Sequence, residues 1–241
     1  MAKKEFPDKH PGKAKDIAMP VDNGGGLGGL GGDFSAKISA LGSKLFAVIK
    51  VILAVLILPY VYSSVVSFLN EFAQIEDNLR QIFWNGMITF LAIYLFVWEP
   101  VKIYNRGHKI LEIMFSFFKP MVNVAPFLLP IYTILFFMIY GLLSLGIKQD
   151  WPMHYALFLI GFSTILHLTF SAKNIRSKKG DFLKSNYIFG FSFIFILNII
   201  LLAFGFSLIF TNFSFVNFCN TSCNIANSIF YAVFKQLFLF K

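Results

Sequence analysis

Between Tyr187 and Phe210 the chain reads YIFGFSFIFILNIILLAFGFSLIF, without one charged side chain and with Asn198 as the strongly polar group near its middle. An α-helix rises about 1.5 Å per residue, so roughly 20 apolar residues cross the hydrocarbon core of a bilayer. A helix in a water-soluble core has no reason to be apolar on every face for that length. The stretch therefore predicts a membrane span, and it restricts the rest of the chain to architectures that satisfy their backbone inside lipid.

Four further segments carry the same signature, at about 46–68, 82–100, 127–147 and 154–172. The overall composition agrees: 57% of the 241 residues are hydrophobic, above the 45–50% or so of ordinary soluble domains. The expected fold class is all-α, a polytopic helical integral membrane protein with five transmembrane helices. A sixth is open at Ile225–Phe240, about 24 Å as a helix and short for a span. Two interfacial amphipathic stretches accompany the spans. One places Phe34, Ile38, Leu41 and Leu45 on one face behind Asp33, a candidate N-cap; the other is Ile110–Phe118.

Punctuation divides the chain further. Residues 1–32 read as a basic cytoplasmic tail ending in the glycine-rich DNGGGLGGLGG, a flexible tether because ordered glycine loses the most backbone freedom. Those glycines lack the Lys-Ser/Thr ending of a phosphate loop. Pro59 falls inside the first span, and Pro120, Pro126 and Pro130 delay the start of the third. Residues 33–211 form the helical bundle, and 212–241 form a polar segment followed by an interfacial or short transmembrane helix.

The net charge of +9 would suggest nucleic acid as partner for a soluble protein. Here its distribution points to topology instead. The N-terminal tail, the 101–119 loop and the 173–184 loop are basic, while the 70–81 and 148–152 connections hold few basic residues beside acidic ones. By the positive-inside rule the N-terminus is expected in the cytoplasm and the segment after Thr211 outside, in a membrane such as the bacterial inner membrane.

Candidate chemistry is sparse. Glu99 and His167 fall near the same ends of their spans and are weighed as a proton-relay pair; Asn198 is the deepest polar group. Cys219 and Cys223, four residues apart, are candidates for a disulfide in an oxidising compartment, against the simpler reading of two free thiols. Three Gly-Phe-Ser triplets, at 161–163, 190–192 and 205–207, suit close helix packing rather than a nucleophile elbow. No catalytic residue, metal site or cofactor is assigned. The expected function is a non-catalytic membrane subunit or scaffold whose partners are the bilayer and other membrane subunits or its own copies, with no nucleic acid. The alternative is a small-solute or ion transporter or channel with Asn198, Thr164, Ser163 and His167 as candidate path residues, and a weaker one is an embedded enzyme using Glu99 and His167.

Overall fold

A computed structural model describes residues 28–117, 125–146, 151–177 and 187–238. Residues 1–27, 118–124 (with Lys119 and Pro120), 147–150, 178–186 and 239–241 lie outside them, as do the side chains of the expected Phe34, Ile38 and Leu41 face and of Lys37, Lys44 and Lys50. Among the described residues the protein is entirely helical, without strands. It has the all-α architecture of a polytopic membrane protein. Four helical segments are long and apolar enough to cross a bilayer: Val51–Phe72, Asp77–Phe96, Trp151–Ile175 and Tyr187–Ile209. A fifth apolar helix, Ile131–Gly146, is shorter.

The helices in chain order are α1 (Gly28–Phe72), α2 (Asp77–Phe96), α3 (Val101–Met114), α4 (Ala125–Leu128), α5 (Ile131–Gly146), α6 (Trp151–Ser177), α7 (Tyr187–Ile209) and α8 (Phe215–Phe238). The chain clusters into two units, divided between Leu45 and Phe46. In the first unit, helix begins at Gly28, upstream of the expected tether end, so Asp33 lies inside a helix rather than capping one. Extending a helix that has already nucleated costs only about 1 kcal/mol per glycine.

The helical bundle is the second unit. Pro59 sits inside α1, and one turn later the hydroxyls of Ser63 and Ser64 both donate to the carbonyl of Tyr60. The α2 helix stops at Phe96, before the expected Pro100. Pro100 disfavours helix in the residue before it, and the amides of Val97 and Trp98 both turn back to the Ile93 carbonyl. An amphipathic helix is indeed present in the next connection, but at Val101–Met114 rather than 110–118. It buries Tyr104, Gly107 and Leu111, one face at i, i+3 and i+7, and leaves Lys102, Arg106 and Lys109 exposed.

Two glycines set the tightest helix pair. At Gly86 of α2 an added Cβ would run into the Phe158 carbonyl of α6, and at Gly161 of α6 into the Phe83 carbonyl of α2. The backbones themselves are in contact, which is what small residues permit between helices in lipid. Ser163 of the same Gly-Phe-Ser triplet is buried, and so is Ser192 of the second.

The main core gathers at the end of the bundle holding Phe72, Phe83 and Phe206. The Phe206 ring is fully buried. Its centroid lies 5.4 Å from Phe83, 5.5 Å from Phe72, 5.7 Å from Phe137 and 5.9 Å from each of Phe68 and Phe213. Three other helices, α1, α2 and α5, and the α7–α8 turn thus converge on one side chain of α7.

The C-terminal region differs most from expectation. Residues 215–227, read from sequence as a polar segment, are helical and continuous with the apolar end as α8. Ser214 starts it, accepting the Asn217 amide on its side chain at 3.2 Å and the Phe218 amide on its carbonyl at 3.0 Å. This is an N-cap, and it is fixed to α1 because the Ser214 amide donates to Glu71 Oε2 at 3.0 Å. Further along the helix, Phe230 meets Tyr60 with centroids 5.6 Å apart. These two contacts make α8 antiparallel to α1 and carry it back along the Val51–Phe72 span.

Candidate functional site

The polar groups that sequence placed in the bundle collect around one interruption. Pro130 has no amide to give the Pro126 carbonyl, so the helix cannot run through. The Leu129 amide still reaches the Ala125 carbonyl at 2.9 Å, but the Ile131 amide turns to Leu129 at 3.0 Å. The third apolar segment is therefore α4 and α5 rather than one helix. Side chains of neighbouring helices cover the carbonyls at the break, as breaks inside lipid require. Ser171 of α6 donates to the Phe127 carbonyl at 3.4 Å. Asn198 of α7 donates from Nδ2 to the Leu128 carbonyl at 3.5 Å and to its own Ile194 carbonyl at 2.8 Å.

Ser171 is a small hub. Its Oγ also lies 3.5 Å from the Tyr104 hydroxyl and 3.4 Å from His167 Nε2. Two turns from Ser171 along α6, Thr133 of α5 meets Ser163 at 2.9 Å and Thr164 at 3.4 Å. Ser171, His167, Thr133, Ser163 and Thr164 are all buried. Burial also pushes the Tyr104 phenol above its ordinary pKa, against the opposing hydrogen bonds of Ser171 and Asn174. It is thus a neutral hydrogen-bonding group at physiological pH. A cavity of about 10 Å³ opens among Tyr104, His108, Tyr132, Ser163 and His167, room for about one water.

Glu99 and His167 do not meet as a pair. Glu99 lies past the end of α2 and pairs with Lys173 of α6, while His167 turns inward to Ser171. Both members of the Glu99–Lys173 pair are well exposed, and such pairs contribute little, on the order of 0–1 kcal/mol. Asn198 is 1% exposed and its Oδ1 has no hydrogen-bond partner in the protein. Two carbonyl acceptors fix the orientation of the amide, nitrogen toward α4.

Cys219 and Cys223 are both free thiols. One turn of helix holds their Cβ atoms about 5–6 Å apart, whereas a disulfide needs about 3.5–4.5 Å. An intrahelical bond would require α8 to unwind locally. Among the described residues no group of three or more His, Cys, Asp or Glu side chains could hold a metal ion.

Sequence reasoning missed Tyr104, Ser171 and Thr133 as members of this cluster around the break. A hydroxyl in an apolar helix carries no signal of which carbonyl it serves. The proline pair was the available clue, since a freed carbonyl in lipid needs a donor nearby. Compared against protein-family models, curated proteins and solved structures, the chain matches none.

Proposed function

We propose that the protein is a non-catalytic integral-membrane subunit of a larger membrane assembly, in a setting such as the bacterial inner membrane, with its N-terminus in the cytoplasm. The observation that carries this reading is the outward face of α8. One side of that helix is buried at Phe218, which joins the core of Phe68, Phe72 and Phe206, and at Ala226. The opposite side exposes Asn217, Asn220, Asn224 and Asn227 at the level of the apolar Tyr60–Phe72 half of α1. Uncharged amides facing lipid are costly without partners, so the face calls for another protein. Extraction in mild detergent followed by native mass spectrometry is expected to give a particle heavier than the single 27.4 kDa chain; a lone chain would overturn the proposal.

The basic connections support the cytoplasmic N-terminus, and α8 changes the side on which the chain ends. A helix of 24 residues is about 36 Å long, enough to return through the bilayer. Its polar half keeps it off the group of helices apolar enough to cross alone. We infer six crossings, with Lys235 toward the cytoplasmic face, in place of an exterior C-terminus. A C-terminal green fluorescent protein fusion is expected to fluoresce and an alkaline phosphatase fusion to be inactive. Active phosphatase at that position would restore the five-span topology.

The break at Pro130 beside Asn198 favours a second reading, a path for a small solute or ion. Interrupted helices with exposed carbonyls are where transporters place their sites. In this conformation the carbonyls are occupied by Ser171 and Asn198, and the adjoining cavity holds about one water. The subunit reading therefore stands first.

A further inference from the structure

The four asparagines on the outer face of α8 belong to a longer pattern. Asn217, Asn220, Asn224 and Asn227 are followed by Tyr231, Phe234 and Phe238, so the spacing alternates three and four without a break. That is the heptad seam of a left-handed helix pair. Every residue in it is exposed; Tyr231 is 68%, Phe234 57% and Phe238 69% exposed. At about 100° per residue the seam lies opposite Phe218 and Ala226, the buried residues of this helix. Over 217–227 it is a face distinct from the buried one, over 231–238 every residue is exposed, and nothing among the described residues covers the seam.

We propose that a second copy of this chain covers it, α8 against α8 in parallel. The inference rests on the subunit reading and names the partner. Copies inserted in one membrane share an orientation, so a closed dimer has its twofold axis along the membrane normal. Identical helices then meet parallel, and each level faces itself. The seam is self-complementary at every level. A carboxamide carries both donors and an acceptor, so asparagine pairs with asparagine across the axis. At the other end the rings of Tyr231, Phe234 and Phe238 pack against their counterparts. No charged residue occurs on α8 before Lys235, so the face offers nothing to a charged partner and no like charges would meet in the dimer.

The register matters as much as the chemistry. A strict 3.5-residue repeat drifts by about 20° per heptad on a straight helix. The two helices would cross at about 20°, the usual angle of left-handed pairs in membranes. In this arrangement asparagines at successive seam positions also fix which levels align, as a single buried asparagine does in coiled coils.

The test is disulfide trapping in native membranes. In a Cys219→Ser, Cys223→Ser background, single cysteines are placed at seam positions (Asn220→Cys, Asn224→Cys, Asn227→Cys) and, as a control, at the exposed Gln236 off the seam (Gln236→Cys). Oxidation with copper phenanthroline is expected to give several-fold more covalent dimer from each seam position than from the control. Native mass of the untrapped wild-type assembly is expected to contain two copies or a multiple of two. Equal trapping at all positions would overturn the proposal, as would a heavier assembly holding one copy of this chain, which leaves the subunit reading standing. A lone monomer with no trapping would overturn both.

Discussion

Gly86→Ala and Gly161→Ala are each expected to destabilise the bundle by about 3 kcal/mol, at the upper end of the usual overpacking range of about 1–3 kcal/mol. In the melting of detergent-solubilised protein this is a drop in Tm of roughly 10 °C for a chain of this size. Overpacking is normally relieved by a side chain changing rotamer. Here the atom in the way is a main-chain carbonyl, Phe158 for Gly86 and Phe83 for Gly161, and no rotamer moves it. The α2 and α6 axes must separate, and the aromatic contacts that span them separate too, among them Phe90 against Phe162 at 5.2 Å. The two sites share one interface, so the double variant should fall short of additivity once the first has opened it. Gly141→Ala is the control: nothing lies within 4 Å of a Cβ there, and alanine's helix propensity should leave Tm unchanged or raise it. If Gly86→Ala melts with the wild type, the two backbones are not in contact.

Sequence carried the fold a long way because hydropathy is additive along a chain. The Tyr187–Phe210 stretch is apolar on every face, so no knowledge of its neighbours was needed to read it as a span, and α7 occupies it. The Gly-Phe-Ser triplets at 161–163 and 205–207 were legible for a related reason, since a missing side chain permits close approach: Gly161 meets the Phe83 carbonyl and Gly205 the Phe137 ring. What summation hides is directional. The α8 sequence averages out as polar because four asparagines share one face, while Phe218, Ile225, Ala226 and Ile229 lie on the other, with Phe218 and Ala226 buried. Read at heptad spacing the two faces separate, but a hydropathy average blurs the first half into a polar segment. The same limit applied to the break at Pro130. The proline announced an interrupted helix, but only the packing of α6 and α7 decides that Ser171 takes the Phe127 carbonyl and Asn198 the Leu128 carbonyl.

Glu99 and His167 show a third limit. Similar depth on two spans is compatible with contact, yet depth leaves the angular position of each residue free. His167 points inward, toward Ser171, while Glu99 lies beyond the end of its helix among exposed groups and meets Lys173. A one-dimensional reading gives the level of a residue in the membrane and leaves its azimuth to packing.

Phe206→Ala is expected to produce the largest loss of any single side-chain truncation, about 3 kcal/mol, with partial recovery in Phe206→Leu. Removing a buried phenyl ring from a soluble core costs about 3–5 kcal/mol, part of it the transfer of apolar atoms from water and part the cavity left behind. In a bilayer the separated helices rest in lipid as apolar as the core, so the transfer part largely vanishes and the cavity part remains. That argues for the low end of the range. The cavity would be hard to close, because the walls belong to separate elements: Phe68 and Phe72 on α1, Phe83 on α2, Phe137 on α5 and Phe213 before α8. Collapse toward the gap would have to move several helices at once, and the α2–α6 pair is already in backbone contact. Truncation should therefore loosen α1 and α8 together, since Phe68 joins Phe206 to Phe213 and Glu71 beside it holds the start of α8. Thermal melting and protease sensitivity of the 210–214 turn are the measurements. Phe204→Ala is the comparison: Phe204 is half exposed on the same helix, and its loss should cost far less. Equal effects at the two positions would mean that Phe206 is not the centre on which these helices converge.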